Sequence, residues 1–275
     1  MNIEILCTTM HQKDLSKYNE MNIKANVIFA NQDDRHEYIE EVIEGNTVKM
    51  ITTPYRGVGN NRNMALIHST ADILVFSDDD MVYKDDAKEV IIQAFQELPN
   101  ADIIIFNIGS IGDTVSQRRV NDVVKRVRIY NALNYGMPRV AIRRQSLQKS
   151  NIWISSLFGG GTKYCSGEDN LFIVNCLKSK MKIYSYPKTI GNVKVGESTW
   201  FKGYNEKYFF DNGAWLEAAF PVLKNILIWY FVFRFSQKTK LSKREIYTLH
   251  IEGIKAFRKN IGYNEWMNKR LNLGK

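Results

Sequence analysis

Along the first half of the chain, apolar residues gather in short runs, and each run ends on polar or acidic side chains. Residues 3–9 end on Thr8-Thr9, residues 25–30 lead into Asn31-Gln32-Asp33-Asp34, and residues 48–52 are closed by Pro54 and the turn Arg56-Gly57-Val58-Gly59. Runs this short and this apolar predict strands buried on both faces. A polar segment of helical length separates the first two, and residues 60–69 predict a helix. The run Ile73-Leu74-Val75-Phe76 predicts a fourth strand, which passes directly into Ser77-Asp78-Asp79-Asp80. Beyond it Ala87, Val90, Ile91, Ala94, Phe95 and Leu98 recur at helical spacing, with Asp86 and Glu89 placed as a capping box, and residues 101–108 predict another buried strand. Strands alternating with helices in this rhythm imply βαβ units and a mostly parallel sheet flanked by helices. The polar strand ends then converge on one edge.

The pattern changes after residue 110. Residues 113–144 carry Arg118, Arg119, Lys125, Arg126, Arg128, Arg139, Arg143 and Arg144, a basic stretch whose ordinary role is a solvated face, with some members free to meet an acceptor's phosphates. Gly159-Gly160-Gly161 marks a loop that bends freely or admits a ligand, and Leu171, Val174 and Leu177 then mark a helix. Residues 218–235 are the most apolar window. A membrane-spanning helix needs about 20 apolar residues, and Pro221, Lys224, Asn225 and Arg234 interrupt this one. It reads either as a helix packed on the main domain or as one lying in a headgroup region, with Trp229 and Tyr230 inside and cations near its ends. A basic amphipathic helix follows, opened by a capping box from Ser242 to Glu245. The expected division is 1–215, with halves 1–110 and 111–215, and a helical appendage over 216–275.

Composition narrows the class. At 275 residues, with 44% hydrophobic and 24% charged positions, the chain can build a substantial core, and disorder is excluded. The formal charge of +9 suits an anionic partner. Nucleic acid is disfavoured, because no recognition motif is present and the aromatics cluster in apolar windows rather than alternating with the arginines. Cys7, Cys165 and Cys176 show neither metal-ligand spacing nor an even count, and the opening Met-Asn-Ile-Glu lacks the basic and apolar regions of a signal peptide. A cytoplasmic setting, or a peripheral one at the inner face of the cytoplasmic membrane, is expected. His11, His36, His68 and His250 are scattered singly and read as structural or surface residues.

The candidate chemistry sits at the strand ends. Three adjacent carboxylates at Asp78, Asp79 and Asp80 repel one another, so folding alone gives no reason for them. At the carboxyl end of a strand in an open α/β sheet they can hold a hard cation on a substrate's phosphates, or else form an acidic turn before the next helix. The Gly57-Val58-Gly59 turn lacks both the third glycine of a dinucleotide fold and the Gly-Lys-Ser/Thr of a P-loop. Arg62, just inside the following helix, reaches a nucleotide or is an ordinary surface arginine. Glu168 and Asp169 follow Gly167 at a helix start, where a carboxylate either favours the helix dipole or acts as a general base.

Taken in order, Thr8-Thr9, Asn31-Gln32-Asp33-Asp34, the segment from Gly57 to Asn63, the Asp78–Asp80 triplet and Gly167-Glu168-Asp169 resemble the family 2 glycosyltransferases of the GT-A fold, over roughly residues 1–190. Residues 158–172 and 198–204 are similar to bacterial enzymes that build capsular and other surface polysaccharides. The resemblance implies an inverting transferase that moves a sugar from a nucleotide donor, UDP-linked, to a saccharide or lipid-linked saccharide. It implies that Thr8, Thr9, Asp33, Asp34, Arg62 and Asp79 bind the donor, with Asp33 or Asp34 at the base. By the same resemblance Asp78 and Asp80 hold Mn²⁺ or Mg²⁺, Asp169 is the base and Glu168 shapes the pocket. No histidine follows the base to serve as a third protein ligand. A non-catalytic nucleotide- or anion-binding protein and a nucleotidyltransferase are the competing readings.

Overall fold

The computed structural model describes residues 1–111, 120–194 and 203–273. Arg118, Arg119 and residues 198–202 of the motif above lie outside the described residues. The chain divides into two compact units, one of Met1–Ile154 with Phe172–Glu197, the other of Ser155–Leu171 with Ser198–Lys275.

In the first unit the strands are β1 (Ile3–Met10), β2 (Asn26–Gln32), β3 (Glu37–Ile43), β4 (Asn46–Thr53), β5 (Ile73–Asp78), β6 (Met81–Tyr83), β7 (Ile103–Ile111), β8 (Lys125–Arg126), β9 (Val140–Arg143) and β10 (Ile183–Lys194). They form one sheet in the order β3-β4-β2-β1-β5-β9-β7-β10-β6, with β8 beside β10. Pairing is parallel across β4-β2-β1-β5, the part the apolar runs predicted. Beyond β5 the sheet is mixed, because β9 enters antiparallel between β5 and β7 while β7 and β10 run parallel. The register of β10 slips between Ser185 and Gly191, around Pro187, which has no N–H to give to a ladder.

The helices of this unit are short. The polar segment after β1 supplies only one turn, α1 (Lys17–Glu20), while α2 (Val58–His68) and α3 (Ala87–Glu97) are full helices. Ile91, Ala94 and Phe95 of α3 enter a core with Ile3, Ile5, Val27, Phe29 and Val75 from the strands. The capping box expected at α3 does not form: Asp86 makes no side-chain cap bond, since its backbone (φ −94°, ψ 9°) is not extended. α4 (Arg144–Ser150) follows β9, and α5 (Glu168–Lys178) carries the boundary between units, at Leu171–Phe172.

The second unit holds α6 (Glu206–Ala219), α7 (Lys224–Phe235), α8 (Lys243–Arg258) and α9 (Tyr263–Leu273). The apolar window 218–235 is therefore not one helix. Its first residues close α6, and Pro221 lies in the turn before α7, where its missing N–H breaks no helical bond. Among the described residues no helix is long and apolar enough to cross a membrane.

Candidate active site

The register of the parallel strands decides which side chains share an edge. Thr8 of β1 lies beside Asp78 of β5 and Ala30 of β2, Thr9 beside Asn31, and Asn31 beside Thr52 of β4. The carboxyl end of four neighbouring strands is thus a polar floor, and Thr8, Thr9, Asn31, Asp33, Thr52 and Thr53 on it are all buried. Buried polar groups persist only when hydrogen-bonded, and the side chains of Thr8, Thr9, Asn31, Asp33 and Thr52 are. Asn31 donates to Thr52 Oγ1 at 3.0 Å and to the Gln12 carbonyl at 3.0 Å, and accepts from the Gln12 N–H at 3.0 Å.

Arg62 is not a surface residue. It projects from the second turn of α2, is 3% exposed, and its Nη2 donates to Asp78 Oδ1 at 3.1 Å. Thr8 Oγ1 donates to the same oxygen at 3.1 Å. The helix is aimed at this spot by Gly57, whose φ of 103° lies in the region that favours glycine and whose N–H donates to Gln32 Oε1 at 3.0 Å. Asn63, one residue on, instead braces the unit through two bonds to the Ile154 backbone.

The three aspartates are held differently. Asp78 ends β5 and meets Arg62 and Thr8, while Asp79 Oδ2 accepts from Thr9 Oγ1 at 2.7 Å. Asp80 is exposed, and its carbonyl accepts from the Lys194 N–H at 2.9 Å. Carboxylate oxygens are hard donors suited to Mg²⁺ or Mn²⁺, and Mg²⁺ is commonly bound by one or two carboxylates together with substrate phosphates. Asp78 and Asp80 fit that donor set. Among the described residues no group of three or more His, Cys, Asp or Glu is gathered to hold a metal by itself.

Asp33 gathers cations. Lys13 Nζ donates to its Oδ2 at 2.8 Å, Arg35 binds the same oxygen, and His11 Nδ1 lies 3.2 Å from Oδ1. The Lys13 bond, then the Asp34 N–H, then His11 hold its carboxyl well below the usual range. Asp34 pairs separately with Arg56. His11, two residues beyond Thr9, is an exposed surface residue, as the sequence reading had it, and its ring pairs with this carboxylate.

Glu168 and Asp169 open α5 and are assigned to the second unit. Both are half-buried. Gly167 before them has φ 104°, and a Cβ built on it would lie 2.5 Å from Trp215 Cδ1. Trp215 Nε1–H donates to the Gly167 carbonyl at 2.9 Å. Nothing in the sequence pointed to Trp215. Tyr164 and Cys165, just upstream, are fixed by bonds to the Ile261 carbonyl and from the Cys165 N–H to Asp211 Oδ2, at 3.1 and 3.0 Å. None of the three cysteines is in a disulfide.

Residues 23–154 match the profile described as Glycosyl transferase family 2. No curated protein matches the sequence at a significant level. Among solved structures, S. aureus TarS 1-349 in complex with UDP-GlcNAc superposes with a TM-score of 0.62 at 11% identity, covering 96% of this chain and 93% of that one. TarS 1-349 in complex with UDP gives 0.57 at 14%, covering 93% and 71%. A longer TarS structure gives 0.59 at 15%, and there this chain covers 44% of the other. At these identities the likeness establishes the fold, a mixed α/β architecture of the GT-A type.

Proposed function

We propose that this chain, whose residues 23–154 match the Glycosyl transferase family 2 profile, is a glycosyltransferase of that family that moves a sugar from a UDP-linked donor to a hydroxyl of a saccharide or lipid-linked saccharide, inverting the anomeric centre, in cell-surface polysaccharide synthesis at the inner face of the cytoplasmic membrane. The observation that carries this reading is the convergence of Arg62 and Thr8 on Asp78 at the carboxyl ends of parallel strands. Ligands of open α/β sheets bind at that edge. Structures of the same fold with UDP-GlcNAc and UDP support the uridine nucleotide.

Each residue then has a task. Thr8, Thr9 and Arg62 line the donor end, Arg62 directing positive charge toward the diphosphate, and Asp33 or Asp34 meets the base. Asp79, tied to Thr9, stiffens the turn. Asp78 and Asp80 would hold Mn²⁺ or Mg²⁺. When bound, such an ion supplies charge neutralisation for the departing nucleoside diphosphate. Asp169 accepts the acceptor hydroxyl's proton as the oxygen attacks the anomeric carbon from the face opposite the leaving group, and Glu168 shapes the pocket.

Titration of the protein with UDP and with UDP-sugars, with and without Mn²⁺, tests this assignment. A ligand at a hundred times its Kd stabilises the fold by about 2.7 kcal/mol, and the shift is expected only with the metal present. Asp80→Ala removes that metal-dependent shift, while Asp169→Asn keeps it and loses sugar transfer. Full transfer by Asp169→Asn would overturn the base assignment, and an equal UDP shift without metal would overturn the role of Asp78 and Asp80.

A further inference from the structure

α7 has two apolar faces, and only one of them is covered by the protein. Ile228, Phe231, Val232 and Phe235 recur at helical spacing and are buried, with α7 packed on α6 and α8. The opposite stripe consists of Ile226, Trp229, Tyr230 and Phe233, exposed by 70, 50, 51 and 60%, and it continues into Val222 at 88%. Single exposed apolar residues are ordinary, but a contiguous stripe of this kind marks a surface that meets something else.

The charges around the stripe say what it meets. From residue 218 to residue 244 the chain carries no carboxylate. Lys224 is paired back to Glu217 at 3.2 Å. Arg234, Lys238, Lys240, Lys243 and Arg244 make no ion pair among the described residues. Two of these cations border the aromatic rings: Lys243 Nζ lies 4.9 Å from the Phe233 ring centre and the Arg234 guanidinium 5.8 Å from that of Tyr230. A helix with an aliphatic and aromatic outer face and a basic rim is complementary to a lipid surface. Its apolar side chains enter the boundary between headgroups and acyl chains, its Trp and Tyr rings sit at headgroup level, and its cations meet phosphates. A second copy of the chain would bring the same cations face to face.

We propose that the outer face of α7, with the basic segment that follows it, docks on an anionic lipid surface. The docking is a binding property of the second unit and stands apart from the transfer reaction. It therefore survives or fails whatever the donor and acceptor prove to be.

Cosedimentation of the full chain with phosphatidylcholine vesicles, with and without phosphatidylglycerol, reads it directly. Binding is expected with the anionic lipid, weakening as salt is raised. Ile226→Glu with Phe233→Glu, both at exposed positions, is expected to lower the partition coefficient at least roughly tenfold with an unchanged circular dichroism spectrum and melting midpoint. Lys238→Glu with Lys240→Glu is expected to lower it about fivefold for each cation lost. Three outcomes would overturn the proposal: no binding to phosphatidylglycerol vesicles, equal binding by the wild type and the Ile226/Phe233 variant, or a concentration-dependent dimer that the same variant abolishes.

Discussion

Trp215 shows how much of a site can depend on one side chain remote in sequence. Its indole N–H holds the Gly167 carbonyl, and its ring fills the space a Cβ on Gly167 would need. The pair thereby fixes the turn from which Glu168 and Asp169 enter α5. Trp215→Phe keeps an aromatic ring but withdraws the donor, which leaves a carbonyl short of its bond at a cost of about 1–2 kcal/mol. The effect expected on turnover is a fall in kcat of about tenfold or more, with donor KM nearly unchanged, because the acidic pair loses its orientation and the donor floor keeps its own. Steady-state kinetics separate the two, and an unchanged kcat would mean that Trp215 serves stability alone. The carboxylates were legible in the sequence because their chemistry is local. Trp215 was not, since the need for it arises only when residues 167 and 215 meet. Arg62 lay between these cases: its spacing from the glycines was visible, but its burial against Asp78 depends on the register of β1 with β5.

Two capping boxes were visible in the sequence, and only one forms. At α8, Ser242 is extended (φ −68°, ψ 158°), its hydroxyl accepts from the Glu245 N–H at 3.3 Å, and Glu245 accepts from the Ser242 N–H at 2.7 Å. At α3, Asp86 lies in a turn whose Ala87 N–H donates to the Lys84 carbonyl, so its carboxylate does not reach back. The motif proposes a helix start, and the entering backbone decides it. Two of the elements absent from the sequence reading, β3 and α6, were hidden for related reasons. β3, Glu-Tyr-Ile-Glu-Glu-Val-Ile, is an edge strand whose acids guard it against unwanted pairing, and this hides the usual alternation. α6 buries Phe209, Phe210, Ala214, Trp215 and Leu216 around most of its circumference and contains Gly213, so it has neither a clean period nor high propensity. That glycine has a steric purpose. A Cβ on Gly213 would lie 2.2 Å from the His250 carbonyl oxygen, and one on Gly253 of α8 would lie 1.9 Å from that of Phe210. The obstacles are backbone atoms, which cannot rotate aside. Gly253→Ala is therefore expected to destabilise the chain by about 3 kcal/mol or more as the helices are forced apart. At Gly45 an added methyl meets nothing within 4 Å, and Gly45→Ala bears only its left-handed φ, about 1 kcal/mol. Urea midpoints of the two variants test the contrast, and equal shifts would remove the close crossing as its cause.

For the molecule as a whole, the response to acid follows from one buried ring and a set of surface carboxylates that act in different pH windows. His250 is fully buried at this crossing, and burial pushes its imidazole down to about 4, partly offset by its bond to the Ile246 carbonyl at 2.7 Å. In the unfolded chain the same ring takes its proton near 6.5. Above that value neither state is charged and the native state keeps its full stability. As the pH falls from about 6.5 toward 4, the unfolded state binds a proton that the native state refuses, so stability is lost by up to about 1.4 kcal/mol per pH unit. Glu97, Glu217 and Glu245 are held below their usual range, Glu97 and Glu245 chiefly by Tyr186 and Ser242, and Glu217 by Arg258 and Lys224 against its partial burial. Their contribution is present above the unfolded carboxylate pKa, about 4.3 for Glu, and is lost only as the pH drops below it through their lowered values. Between pH 6.5 and 5 the slope therefore belongs to His250. Urea unfolding at pH 7.5 and pH 5 is expected to show a loss of about 2 kcal/mol, and His250→Gln, which cannot titrate, is expected to flatten that interval while leaving the steeper loss below pH 4. The comparison rests on slopes, so a variant that starts less stable still decides it. A wild-type slope no greater than the variant's would place the acid sensitivity elsewhere in the molecule.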